Sequence, residues 1–524
     1  MPKRVVCRAN ECLLALYLLL ITISSVFLYV THNKLILAVL CVVLFIFFLF
    51  ISRFVLCFFS EHCIYRRDPV TGRQCVYAYL AGTCACIFIL MLWYIAFRPG
   101  FYGPDNMAQL SQAVSGHYDN WHPIWHTLVF YTLPVRLTGW AGSVVPFQMI
   151  CFSLCIGYMC MVLYRYIGKA CAVIVFAYVC LNPLTGYVLL DPLKDVPFAI
   201  AGTIAMTMTA AICFSRGEWS DNRYRCVILG FILANATLLR YNGILFTGLL
   251  MIALVFNLRF RRWILILAGF AATMVIVQGP VYHLIDAEIS DTEVVQVVGL
   301  PMSVIGNAVR ETPDLLDPEI TEFAYSYAPA EVWEERYARG NFNLMKYGGV
   351  QNPNVVEETG ALKITAMAAK CLVQSPQASM DALFALTDFV YGLDIQDKAD
   401  IDIMHGDIMD NDYGLEYNGN QTLAGLLDRC AGLLKVRGWN FFRKMGFGIL
   451  MVMIVILSRL KWTSANSWKR ILLCLPVLAY DFGTMLLLSG HDARFFFISF
   501  MVCPIAVIVG MFEDSLRSTG GNEV

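Results

Sequence analysis

The sequence predicts an all-α polytopic membrane protein of about twelve transmembrane helices with a mostly helical extracytoplasmic insert. Three observations carry this expectation. The chain of 524 residues is 58% hydrophobic and only 15% charged, with a mean hydropathy of +0.63, whereas a soluble chain carries about 25% charged residues. Apolar runs of roughly the length needed to cross ~30 Å of hydrocarbon recur along it. The basic residues between those runs alternate, dense in every second connection and sparse in the others, as the positive-inside rule requires.

The runs are 12–30, 35–59, 77–97, 143–164, 170–190, 196–214, 226–240, 243–258, 263–284, 444–459, 468–489 and 494–512. The first follows Lys3, Arg4 and Arg8 and lacks a small-residue cleavage site, so it reads as a retained signal anchor with a cytoplasmic N-terminus. Runs 226–240 and 243–258 are short. A single helix through both would be about 50 Å long, too long for the hydrocarbon core, so a hairpin at 240–243 is expected.

Counted from inside, five connections fall on the cytoplasmic side. They hold Arg66, Arg67 and Arg73; Arg165 and Lys169; Arg216, Arg223 and Arg225; Arg259, Arg261 and Arg262; and Arg459, Lys461, Lys469 and Arg470. The opposite short loops hold only Lys34, Arg98, Arg136, Lys194, Arg240 and Arg494. This asymmetry predicts a multi-pass protein of the cell membrane with both termini cytoplasmic.

Three regions result. Residues 1–284 form an N-terminal transmembrane region carrying an external loop at 98–142, 285–443 an extracytoplasmic insert, and 444–524 the last helices with a short cytoplasmic tail. Within the loop, the run 124–133 is interrupted by His126 and followed by Pro134, which suits an interfacial or re-entrant helix. The insert, at ~160 residues, is large enough to fold as a domain, with helix-like stretches near 318–340, 360–391 and 421–437. Of the 19 cysteines only Cys371 and Cys430 lie in it, and two unpaired thiols are a simpler reading than a disulfide. The formal net charge of -1 offers no basic surface for nucleic acid.

Polar residues that hydrocarbon disfavours stand at the external ends of the runs. Asp105 follows Tyr102, Gly103 and Pro104 in a turn; it is either a general base or a helix cap. His122 and His126 are four apart and share a face of a helix begun at Pro123. That spacing can hold zinc, but Pro123 stands where a metalloprotease has Glu, so hydrogen bonding to a phosphate or sugar is the stronger reading, with interfacial packing an equal alternative for His126 alone, and no metal site is assigned. Lys194 and Asp195 begin a helix, as an ion pair, a cap or an anion-binding pair. Arg240, before Asn242, and Arg494, after His491 and Asp492, are interface anchors taken singly. Three basic groups and two histidines on one face together suit a phosphate-bearing substrate.

At these residues the chain resembles the GT-C superfamily of integral-membrane glycosyltransferases, particularly its little-characterised bacterial members. The resemblance rests on Asp105 in the first large external loop, His122-Pro123, Lys194-Asp195 and Arg240-Tyr241-Asn242-Gly243, over roughly residues 77–260. Looser support comes from Gly299-Leu300-Pro301 and from His491, Asp492 and Arg494. It implies a GT-C-like fold and an inverting transfer of sugar from a polyprenyl-phosphate donor to an extracytoplasmic glycan, lipid or protein, at a site among membrane lipids. Asp105 would be the catalytic base, and His122, His126, Lys194, Asp195, Arg240, Asn242, His491, Asp492 and Arg494 would bind donor phosphate or substrate. Many GT-C enzymes pair acidic residues in the first loop, but Asn106 follows Asp105 here, which leaves a divalent cation open and Asp119 as an alternate acid. Two other classes compete. A transporter of two six-span halves is disfavoured by the nine-plus-three division around the insert, while a polysaccharide polymerase or ligase would share the lipid-linked substrate.

Overall fold

The computed structural model describes residues 6–26, 34–67, 70–291, 293–349, 351–393, 407–433 and 444–513. Each apolar run is there a helix or a broken pair of helices. In order they are Arg8–Val26, Lys34–Glu61, Gly72–Phe97, Val144–Tyr166, Lys169–Cys180 with Pro183–Leu190, Asp195–Phe214, Arg223–Leu239, Ile244–Asn257, Phe260–Ile276, Met445–Arg459, Ala465–Leu472 with Leu475–Met485, and Phe497–Met511. Residues 27–30 of the first run lie outside the described residues. Among the described residues, seven helices are long and apolar enough to cross a membrane alone. An eighth span results if Lys169–Cys180 and Pro183–Leu190, bent by 54°, are taken as one. That bend has a local cause: Pro183 cannot continue the first helix, and the Asn182 side chain accepts from the Leu184 N–H at 3.0 Å to start the second.

The connections fall into two interlocked sets. At one end, the Arg67 N–H donates to Tyr166 O at 2.8 Å, Arg262 pairs with Asp221, Asn257 Nδ2 donates to Lys469 O at 2.8 Å, and Ile64–Tyr65 pairs in parallel with Phe512–Glu513. At the other, the Phe101 N–H donates to Leu190 O at 2.9 Å, Tyr241 Oη to Asn120 O at 2.9 Å, and the Asn343 N–H to Ser489 O at 3.1 Å. The first set contains the dense basic connections and the second the polar clusters, the same division that charge alternation draws along the chain.

Helices in lipid gain little from hydrophobic contrast, so close approach of backbones matters more. A Cβ at Gly230 would collide with Ile266 O, and one at Gly269 would sit 2.5 Å from Val227 O; these two glycines let Arg223–Leu239 and Phe260–Ile276 cross in contact. Gly157 does the same for Val144–Tyr166 against Thr83 of Gly72–Phe97.

The insert has its own core, running from Val295 to Cys371 around Met302, Ile305, Phe323, Trp333 and Phe342. Pro376–Tyr391 leaves this core and buries Leu386, Phe389 and Val390 among the apolar helices, while Gln421–Leu433 lies beside the membrane helices with Tyr187 Oη donating to Asp428 Oδ1 at 2.5 Å. The stretches expected at 318–340 and 360–391 are each two helices, divided at Pro329 and Pro376, because the residue before a proline avoids helical geometry. Of the stretch expected at 421–437, residues 434–437 lie outside the described residues. Cys371 is buried, Cys430 exposed, and both are free thiols.

Candidate functional site

Gly103 precedes Pro104–Ser115 in extended backbone, and Pro104 occupies the first helical position, where its missing N–H costs nothing. Asp105 follows in the first turn. Its carboxylate reaches toward Arg494, Oδ2 lying 3.7 Å from Nη2, and toward His122, Oδ1 lying 3.9 Å from Nε2. At 45% exposure its side chain is the most open of the four carboxylates around Arg494.

Arg494 is the hub. Its Nε meets Asp492 Oδ2 at 2.5 Å and Asp195 Oδ2 at 3.9 Å, and its Nη1 lies 3.9 Å from Asp191 Oδ2. Asp492 caps the 493–496 turn, its Oδ1 accepting from the Arg494 N–H at 3.2 Å. Asp191 accepts from Asn106 Nδ2 at 2.7 Å, and Tyr131 Oη bonds Asn106 Oδ1 and Pro192 O at 3.0 and 2.8 Å, which ties the 98–142 loop to the start of Asp195–Phe214. Burial lifts the Asp191 carboxyl to about 6.

Arg240, in extended backbone between Arg223–Leu239 and Ile244–Asn257, pairs with Asp195. Arg240 is 5% exposed and Asp195 2%, so neither charge has water as an alternative partner. The guanidinium also donates from Nε to Asn242 Oδ1 at 2.8 Å and lies 4.7 Å from the Phe495 ring centroid, while Asn242 Nδ2 reaches Thr484 Oγ1 at 3.0 Å. Asn242 therefore holds Arg240 and the neighbouring helix.

Lys194 differs from both arginines. Its Nζ lies 3.3 Å from His122 Nδ1, and among the described residues no carboxylate is within salt-bridge distance of it. Burial, with Arg240 nearby, holds the ammonium down to about 8, and burial next to Lys194 pushes His122 down to about 4. Near neutral pH the pair is an ammonium and a neutral imidazole. The ammonium can only donate, so Nδ1 accepts and Nε2 carries the ring proton, aimed to the Asp105 side.

The insert supplies a second such cation. Lys346 is buried, donates to the Gln296 side chain, and has its Nζ 5.1 Å from the Tyr347 ring centroid; burial lowers it to about 8, with Glu293 and Asp105 the carboxylates acting on it. The segment is seated by Ser489 Oγ donating to Asn343 Oδ1 at 2.6 Å.

Two histidines, His126 and His491, stand in packing positions, which for His126 is one of the two readings its sequence left open. Helix Ile124–His126 begins after His122, with Pro123 as its N-cap, so His122 and His126 do not share a helix face. His126 is fully buried, its Nδ1 on Gln109 Oε1 at 2.6 Å, and the chain continues as a π-helical turn, Thr127–Thr132, into Leu133–Thr138. His491 bonds Ala385 O and packs edge-on to Phe389, joining the 489–491 turn to Pro376–Tyr391 rather than facing Asp105. No group of three or more metal-ligating side chains occurs among the described residues.

The structure thus brings Asp105, His122, Lys194, Asp195, Arg240, Asn242, Asp492 and Arg494 into one linked cluster, and leaves His126 and His491 in packing positions. Sequence reasoning missed Asp191 and Lys346. Asp191 was legible as a carboxylate at the end of an apolar run; Lys346 carried no signal, being one of several charges in a polar insert. Residues 138–324 match the profile of a family of unknown function, DUF6020, a segment that includes Lys194, Asp195, Arg240 and Asn242 but not Asp105, His122 or Arg494. No curated protein and no solved structure matches the chain.

Proposed function

We propose that the protein is an inverting membrane glycosyltransferase of GT-C type, with twelve spans, both termini cytoplasmic, and its site on the extracytoplasmic face. It would move a sugar from a polyprenyl-phosphate donor to an external glycan, lipid or protein. The observation that carries this reading is one open carboxylate, Asp105, joined through His122 to the cation Lys194, with a second buried cation, Lys346, in the insert; among the described residues neither ammonium has a carboxylate within salt-bridge distance.

In the proposed step the acceptor hydroxyl attacks the anomeric carbon, Asp105 takes its proton, and the bond from that carbon to the phosphate oxygen breaks, releasing polyprenyl phosphate. Charge developing on the phosphate is stabilised by the two ammonium groups. Arg240 and Arg494 are already matched by carboxylates, so their part is to position Asp195 and Asp105. His122, neutral and held by Lys194, presents its Nε2 proton on the Asp105 side. The depth of Asp195 and Arg240 at a helix end suits a donor whose lipid remains in the bilayer.

Replacing Asp105 by Asn removes the base at nearly constant size. Transfer from lipid-linked sugars by the purified, reconstituted chain should fall by about 10²–10⁴-fold, with the melting profile kept because the side chain is half-exposed. Wild-type transfer by Asp105→Asn would return Asp105 to a structural role.

A further inference from the structure

At the end opposite Asp105, a cavity of about 260 Å³ opens between Val144–Tyr166, Asp195–Phe214 and Arg223–Leu239. Its walls include Met161 and Tyr158, and its polar rim is Arg165, Tyr166, Trp219 and Arg225.

The basic residues at this end form two groups. Some are consumed by the fold: Arg262 binds Asp221, Arg459 binds Glu513 at 3.1 Å, and Arg470 donates to Phe512 O at 2.5 Å. Arg165 and Arg225, which line the cavity, and Arg66, which shares the Tyr166 ring, are not. Arg165 lies 5.3 Å from the Tyr166 ring centroid, with Arg66 5.8 Å from the same ring, and Arg225 lies 5.7 Å from that of Trp219. Arg225 also makes a long 3.4 Å bond to Trp219 O. Among the described residues no carboxylate stands within 4.0 Å of any of the three, Glu218 on the same turn as Trp219 included. A guanidinium resting on an aromatic face keeps its N–H edge open for two oxygens of one anion. Arg165 and Arg225 on one small cavity, with Arg66 at the Tyr166 ring, repel one another unless an anion sits between them.

We propose that this cavity is a phosphate-binding site, separate from the Asp105 cluster and independent of the function assigned to it. The phosphate bridges Arg165 and Arg225, and any apolar part of the ligand lies along Met161. An anionic lipid headgroup and a free phosphate compound both offer this chemistry, and the basic end of a membrane protein meets both.

The test uses the full-length protein in detergent, titrated separately with phosphatidylglycerol, phosphatidylcholine and inorganic phosphate and followed by thermal shift and native mass spectrometry. Phosphatidylglycerol or inorganic phosphate should bind in preference to phosphatidylcholine; the first identifies a lipid headgroup, the second a soluble ligand. Affinity should fall about thirtyfold in the double variant Arg165→Gln/Arg225→Gln and about fivefold in Arg225→Gln alone, the latter serving if the double variant folds poorly. Arg261→Gln, a basic residue of the same end outside the cavity, should bind as wild type. Unchanged affinity in Arg225→Gln, an equal loss in Arg261→Gln, or no preference over phosphatidylcholine would each overturn the proposal.

Discussion

The ion pair between Arg240 and Asp195 offers the sharpest test of how this site is built. Both side chains are almost wholly removed from water, at 6% and 2% exposure. Replacing Arg240 by Met, of similar length, leaves a buried carboxylate whose remaining cation, Arg494 Nε, is 3.9 Å from Asp195 Oδ2 and shared with three other carboxylates. Breaking such a pair from one side costs about 3–5 kcal/mol, whereas removing both charges is often nearly neutral. Arg240→Met and Asp195→Asn should therefore each destabilise by about that amount, and the double variant should cost less than either single one. The assay is thermal melting of purified protein followed by a thiol-reactive dye, since buried Cys155, Cys180 and Cys503 become reactive only on unfolding. If Arg240→Met melted like wild type while only its use of donor weakened, Arg240 would be a substrate ligand and the positioning role argued above would fail.

Three other outcomes are expected. Donor use should require protonated Lys194 and Lys346, both lowered to about 8, so kcat/KM for the lipid-phosphate sugar should decline as pH rises through about 8, the decline should be shallower in Lys194→Arg and should vanish in Lys194→Arg/Lys346→Arg; an unaltered profile in Lys194→Arg would detach Lys194 from the donor. Gly230→Leu should abolish folded yield or lower the melting midpoint strongly, because its side chain meets Ile266 O and Phe270 N rather than a movable side chain; a wild-type melt would show that the two helices can separate without loss. A membrane-impermeant maleimide applied to intact cells should label exposed Cys430 of the insert and spare Cys63, with the label lost in Cys430→Ser; labelling of Cys63 would invert the topology.

What the sequence determined by itself was the helical, membrane-embedded class, the position of nearly every apolar helix, and the sorting of connections into two sets. Hydropathy and charge are summed along the chain, and helices in lipid must satisfy their own backbones, so a local reading suffices for them. It also singled out Asp105, Lys194, Asp195, Arg240 and Arg494, because a charge beside an apolar run is costly wherever the run is packed. Which charge meets which was decided only by the tertiary structure. Arg240 faces Asp195 across 45 residues and Arg494 faces Asp105 across 389, and such pairings depend on how each helix is rotated against its neighbours. The same rotation withdrew His126 onto Gln109 and His491 onto Ala385. It left Lys194 on a neutral imidazole and buried Lys346 of the insert against Gln296. Spacing along the chain says nothing about rotation between helices far apart in sequence, and the candidate chemistry of this protein rests on that rotation.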